Sequence, residues 1–260
     1  MDDLRLFDSH CHLDDDKYDE DRDQVIDALP AQGVAACVTV GSDLASSRRC
    51  IALAAQYPFL YAAAGIHPHV AAQAPDDYLD DLRDMLTQPR VVAVGEIGLD
   101  YHYDFSPRDV QQRLLQQQLD LALERELPVI LHVREAHGDL IALLRDREAR
   151  LPKGIIHCFS GSAESALEYV RLGFMISFAG SLTFKNANKL RLAAQQTPLD
   201  RLLIETDSPY LAPEPRRGRR NTPANVRHVC ELLAQLRGMS APQMADLTYD
   251  NAARLFRLPG

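Results

Sequence analysis

The chain contains no apolar run approaching the roughly 20 residues that a membrane-spanning helix requires. Its beginning, MDDLRLFDSHCHLDDD, is acidic where a secretory leader is basic and then apolar. A cytoplasmic protein with no membrane association is therefore expected. Cysteine is sparse and scattered: Cys11, Cys37, Cys50, Cys158 and Cys230 are odd in number and form no Cys-x-x-Cys pair. Reduced thiols fit this pattern better than a disulfide framework. Positive charge is also in deficit. A formal net charge of -9 excludes a protein that coats nucleic acid through a general basic field, so any phosphate contact has to be local.

Other absences narrow the fold and the chemistry. No glycine-rich phosphate loop follows the first apolar stretch, which argues against a doubly wound nucleotide-binding sheet. No Gly-x-Ser-x-Gly elbow surrounds Ser160, and Ser208 lacks a histidine placed to activate it, so serine-based hydrolysis is a poor fit. No fixed-period repeat, low-complexity tract or linker divides the chain, and nothing in it implies an obligate protein partner.

What is present is an ordinary globular composition, 46% hydrophobic and 25% charged over 260 residues, enough for a substantial core. Eight short apolar stretches recur: LRLFDSH, VAACVTVG, LYAAAGIHP, VVAVGEIGLD, LPVILHVRE, GIIHCF, GFMISFAG and RLLIET. Segments with helical periodicity separate them. From Gln111 to Leu127, for example, Leu114, Leu115, Gln118, Leu119, Ala122 and Leu123 form one stripe. Continuous apolar strands alternating with helices imply parallel pairing through right-handed crossovers. Eight such units predict an α/β fold of the TIM-type (β/α)8 barrel kind, a single domain spanning residues 1–260. The longest irregular stretch, Ser208 to Pro223, follows the eighth strand and carries four arginines.

In such a barrel the site lies at the C-terminal ends of the strands. His10 and His12 stand two apart at the end of strand one, so both face one side while Cys11 faces away, and Asp8 shares their parity. Glu96 ends strand four, His132 strand five and His157 strand six, and Asp207 follows strand eight. Singly, each reads as a structural residue. Together, ionisable groups on five of eight strand ends would be costly to bury without a counter-charge. Imidazoles with two carboxylates suit zinc, manganese, magnesium or similar ions, and six ligands suffice for two ions bridged by a carboxylate, here assigned to Glu96. Asp207 is the candidate for orienting and deprotonating water.

Around this set, Arg134 shares the facing of His132 and is positioned for bidentate phosphate contact, or else for a salt bridge to Glu135. His67, ending strand three, is read as a substrate-contacting or proton-donating group, with a structural histidine as the alternative. Glu205 is a candidate partner for a ligating histidine, or half of an interior ion pair. No role is assigned to His69, His102, His137 or His228. Tyr101, Tyr103, Phe159 and Phe184 are candidates for base stacking or for packing. The run Arg216, Arg217, Arg219 and Arg220 is either a funnel for a nucleic-acid strand or a solvated loop.

The motifs FDSHCH, GIHPH, VGEIGLDYH, LPVILHVRE, IHCFSGS and ETDSPYLAP, in this order across nearly the whole chain, resemble the TatD family of metal-dependent hydrolases, which is similar to the wider amidohydrolase superfamily. The resemblance implies a TIM-type barrel, one or two divalent metals and deoxyribonuclease activity, of the 3′-5′ exonuclease type. The substrate it implies is nucleic acid, as DNA ends or single strands. By motif, His10, His12, Glu96, His132, His157 and Asp207 would be the ligands. The first-strand histidine pair, replaced in one branch of the family, is kept here, which implies the full two-metal set. The scaffold alone does not select a leaving group, so a lactone, a small ester or an aminoacyl-tRNA link is an alternative substrate. A non-catalytic binding barrel is the alternative of another class; its mark would be lost ligands, and they are present.

Overall fold

Val, Ile, Leu and Ala dominate eight short segments that are buried along nearly their whole length, as strands covered on both faces must be. In the computed structural model, which describes residues 4–258, they are β1 (Leu6–Cys11), β2 (Val34–Val40), β3 (Leu60–Ala64), β4 (Val91–Asp100), β5 (Val129–Arg134), β6 (Gly154–Ile156), β7 (Met175–Phe178) and β8 (Leu202–Ile204). All eight pair in parallel in sequence order. Closure comes from a parallel bridge between Cys11 and Ser208 and from Asp207 N–H donating to His10 O at 3.0 Å. The result is a (β/α)8 barrel. The first three and last two residues of the expected 1–260 domain, including the start of its acidic N-terminal stretch, lie outside the described residues.

The helices are α1 (Arg22–Ala28), α2 (Leu44–Gln56), α3 (Tyr78–Met85), α4 (Arg108–Glu124), α5 (His137–Asp146), α6 (Ala163–Arg171), α7 (Asn188–Gln196), α8 (Val226–Arg237) and α9 (Ala241–Phe256). Side-chain caps fix the starts of several helices. Asp43 accepts from Ser46 N at the start of α2, Ser162 from Ser165 N at the start of α6, and Ser240 forms a capping box with Gln243 at α9. The helix expected over Gln111–Leu127 is α4, which begins earlier, directly after Pro107. Among the described residues, no helix is long and apolar enough to cross a membrane. All five cysteines are free thiols.

Strand alternation divides the apolar side chains into two cores. Leu6, Leu131, Ile156, Ile176 and Leu202 face the helices, whereas Phe7, Ile130, Ile155, Met175 and Leu203 fill the barrel interior. Phe256 of α9 stacks on Phe7 at 5.9 Å and, with Ala252 and Leu255, plugs the N-terminal end of the barrel. The opposite end therefore has to hold whatever is polar. Continuing the inward parity of β5, β6 and β8 brings His132, His157, Glu205 and Asp207 to that end.

β1 needs a device to do the same. Phe7 points inward, so strict alternation would turn His10 and His12 outward; the register shift between Asp8 and Cys11 reverses the parity. A second irregularity, between Val94 and Ile97, contains Glu96. Two expected strand ends are thus interior positions. β4 continues past Glu96 to Asp100 and β5 past His132 to Arg134, because Gly98, Leu99 and Asp100 keep pairing with His132, Val133 and Arg134.

That pairing depends on Gly98. Its φ of 148° is a conformation that side chains disfavour, and an added Cβ would stand 2.0 Å from His132 O. Gly98→Ala is expected to cost about 3 kcal/mol or more, in the upper range for point substitutions, measured by urea unfolding. A loss below about 1 kcal/mol would show that β4 and β5 can separate freely at this point.

Candidate metal centre

At the open end of the barrel, His10, Glu96 and His157 are almost completely buried, at 0%, 3% and 4% exposure, with His12, His132 and Asp207 beside them. The six residues converge in two groups that share Glu96. In the first, His10 Nε2 and His12 Nε2 are 3.1 Å apart. Glu96 Oε2 lies 3.5 and 3.7 Å from these nitrogens, and Asp207 Oδ1 lies 3.7 and 3.4 Å from them. In the second, Glu96 Oε1 is 2.9 Å from His132 Nδ1 and 2.7 Å from His157 Nε2, which are 3.3 Å from each other. Tetrahedral donors about 2.1 Å from a zinc-sized ion stand about 3.4 Å apart. The first group has that spacing, and the second is slightly tighter.

The outer ring nitrogens explain why the inner ones are available. His12 Nδ1 donates to Val40 O at 2.9 Å, His157 Nδ1 to Glu205 Oε1 at 3.2 Å, and His132 Nε2 to Asp100 Oδ2 at 2.9 Å. Once its inner nitrogen gives up a proton, each of these imidazoles turns a lone pair toward the centre, the arrangement found for metal-ligating histidines. His10 is the exception. Its Nδ1 is buried without a partner, and its ring is held by stacking on His157 at 4.0 Å.

Electrostatics point the same way. Burial works against the charge on His12, but its hydrogen bond to Asp207 and the negative charges of Glu96, Asp207 and Asp14 raise its pKa to about 9. Burial likewise opposes charge on His157 and on Glu96. Glu96 and Glu205 outweigh it at His157, whose pKa is raised, while the imidazoles of His157, His67 and His10 hold Glu96 well below the usual carboxylate range. Protons on His12, His132 and His157, whose pKa values are raised, supply the positive charge this buried pocket demands, and divalent cations fit the same donor set.

His67 stands apart. Burial lowers its pKa to about 4, so it is neutral at pH 7. Its Nδ1 accepts a hydrogen bond from His69 N at 3.1 Å, which leaves the proton on Nε2, 3.4 Å from Glu96 Oε1. His67 is thus arranged as a donor rather than as a ligand.

The remaining sequence candidates divide. Arg134 lies on the cavity wall with its guanidinium over Tyr103, and Glu135 is engaged by His102 at 2.8 Å instead. Glu205 braces His157 and also accepts from Cys158 N at 2.8 Å. Three of the four suggested stacking residues are committed elsewhere. Phe159 is buried against Tyr169 and Phe178, Tyr101 donates to Asp139 beneath Arg108, and Phe184 is covered by Arg217. Arg220 forms a two-point ion pair with Asp21 and leaves the arginine run. Asp8 shares no donor group with the centre. It is buried and binds Thr206 and His10 N, tying β1 to the segment after β8.

Sequence reasoning missed Asp100. One of its oxygens binds both His132 and His69, while the other accepts from the backbone of His102 and Tyr103. The available signal was its even spacing from Glu96 along the same strand. His69, given no role from sequence, is Asp100's second imidazole partner. Phe105 and Tyr210, both exposed on the cavity wall, were also missed. The cavity above the centre encloses about 980 Å³.

A family model described as TatD related DNase matches residues 7–257. The chain belongs to this family. A metal-dependent hydrolase of Bacillus subtilis, YabD, described as uncharacterized, is 43% identical over 97% of this chain and 99% of its own. A protein of Pectobacterium carotovorum named 3′-5′ ssDNA/RNA exonuclease TatD is 36% identical, covering 97% of this chain and 100% of its own. Among solved structures, the TatD homologue YjjV of Escherichia coli superposes with a TM-score of 0.92 at 35% identity, over 98% of this chain and 99% of that one. For the TatD-family chain described here, the braces around the histidines yield a direct expectation. Asp100→Asn and Glu205→Gln should each weaken zinc binding about 10- to 100-fold in chelator competition without unfolding the barrel. Unchanged affinity in both variants would show that the braces do not orient metal ligands.

Proposed function

We propose that this chain is a two-metal phosphodiesterase acting on nucleic acid, a deoxyribonuclease of the 3′-5′ exonuclease type that takes single strands or DNA ends. His10, His12, Glu96 and Asp207 would hold one divalent ion, and Glu96, His132 and His157 the other. The observation that carries this reading is Glu96, whose two oxygens face separate donor groups. An imidazole-rich set favours zinc over magnesium, and the two carboxylates leave manganese compatible.

Ions held there supply Lewis acidity for a phosphoryl oxygen and lower the pKa of water. The protein's own groups do the rest. Of the two carboxylates in the first donor group, Asp207 has the more accessible side chain, 16% exposed against 4% for Glu96, and it lines the cavity. It is therefore the carboxylate placed to orient water and accept its proton. His67 Nε2–H is a neutral donor for a phosphoryl oxygen. Arg134 adds a permanent cation for the phosphate, with the fork geometry that suits it.

A nucleic-acid substrate is supported by the name of the Pectobacterium relative. The exposed aromatics beside the metal centre also suit a nucleic acid better than a small ester. A non-catalytic barrel would have no use for oriented, lone-pair-presenting imidazoles.

Dialysis against a chelator should abolish cleavage of a single-stranded oligonucleotide, and zinc or manganese should restore it. Asp207→Asn should lower kcat about 100-fold or more while metal content falls far less. Equal loss of both would remove the proton-transfer role, and a metal-replete enzyme inert on DNA but fast on a small ester would overturn the substrate.

A further inference from the structure

Phe105 is the most exposed large apolar side chain among the described residues, at 66%, and Tyr103 beside it is 46% exposed. Both line the cavity above the candidate metal centre. Single exposed apolar residues are ordinary. Here, however, the two rings are stacked, with centroids 5.2 Å apart and planes 22° from parallel. His69 packs edge-on against both, at 5.0 and 5.2 Å, and the Arg134 guanidinium lies 4.8 Å from the Tyr103 centroid.

The loop that carries these rings is held rigidly. His102 N and Tyr103 N donate to Asp100 Oδ1 at 3.0 and 2.9 Å, and Ser106 Oγ donates to His69 O while accepting from Ala72 N. Gln111 Nε2 donates to Ser106 O at 2.8 Å. Rigidity lowers the entropic cost of binding on such a surface. The aromatic across the cavity differs: Tyr210 has Lys17 over its ring and its hydroxyl bound to Asp15. Tyr103 is occupied by Phe105 and Arg134, which leaves the outer face of Phe105 open.

We propose that Phe105, backed by Tyr103, is a stacking subsite for an unpaired nucleobase, with Arg134 receiving the adjoining phosphate; this rests on the nucleic-acid reading given above. Every base has a π-face, so such a platform accepts any sequence and both DNA and RNA. A base within a duplex has its faces covered by neighbours and cannot use it. The subsite would therefore confer a preference for single strands without reading sequence.

The test compares single-stranded oligonucleotides whose 3′-terminal nucleotide is intact or abasic, using manganese-loaded enzyme, with a terminal 2-aminopurine reporting stacking through fluorescence quenching. Wild type should favour the intact end in KM by about fivefold or more. Phe105→Ala should lose both this discrimination and the quenching, and Phe105→Trp should retain them. If Phe105→Ala keeps both while strands are still cleaved, the subsite is wrong and the nuclease reading stands. If no strand is cleaved but quenching depends on Phe105, the subsite stands and the reaction assignment falls. Neither cleavage nor quenching in wild type would overturn both.

Discussion

Glu96 is the constraint around which the polar end of the barrel is organised. A carboxylate buried this deeply stays charged only if positive charge or hydrogen-bond donors surround it. Four imidazoles, from His10, His67, His132 and His157, come within 3.5 Å of its two oxygens. These histidines come from different strands, so the charge balance of one side chain depends on the register of the whole barrel. Removing one imidazole leaves the others with a carboxylate still to neutralise, and a divalent cation held by this donor set would satisfy the same demand.

The apolar end of the barrel makes that arrangement tolerable. Phe256 and Phe7 close the N-terminal end with apolar side chains, which offer water or ions no polar partner there. Polar groups are confined to one layer, and each histidine except His10 has an acceptor or donor for its outer nitrogen. The resulting order runs outward. Glu96 is shared by the donor groups, the histidines surround it, and Asp100, Glu205 and Val40 O fix the tautomers.

Much of this was legible in the sequence because a parallel strand is a short apolar run with a defined end. Eight such runs predicted the barrel, and the residues at their C-terminal limits predicted which side chains would meet. What was not legible depends on tertiary geometry. The parity of β1 reads correctly for His10, His12 and Cys11 only because a register shift follows Phe7. The apolar runs VVAVGEIGLD and LPVILHVRE reach past Glu96 and His132, but ending the strands at those two residues was wrong, because continued pairing there depends on a glycine meeting a backbone carbonyl. Burial decided among the aromatics: the candidate Phe159 entered the core, whereas Phe105, which was not a candidate and lies outside any apolar pattern, is the exposed ring.

Asp100 joins the two halves of the functional surface. With one oxygen it fixes the imidazole of His132 at the centre and that of His69 beneath the aromatic pair; with the other it fixes the backbone of the loop bearing Tyr103. Hydrogen bonds from both imidazoles and from Tyr103 N overcome burial and keep its carboxyl ionised. The position of the loop is thereby tied to the orientation of a candidate ligand through a single buried side chain. An insertion or deletion in residues 101–107 would thus act on His132 as well as on the cavity rim. The separation between aromatic pair and metal centre, which sets where a strand would lie, is fixed by the covalent geometry of one aspartate and the two imidazoles bound to it.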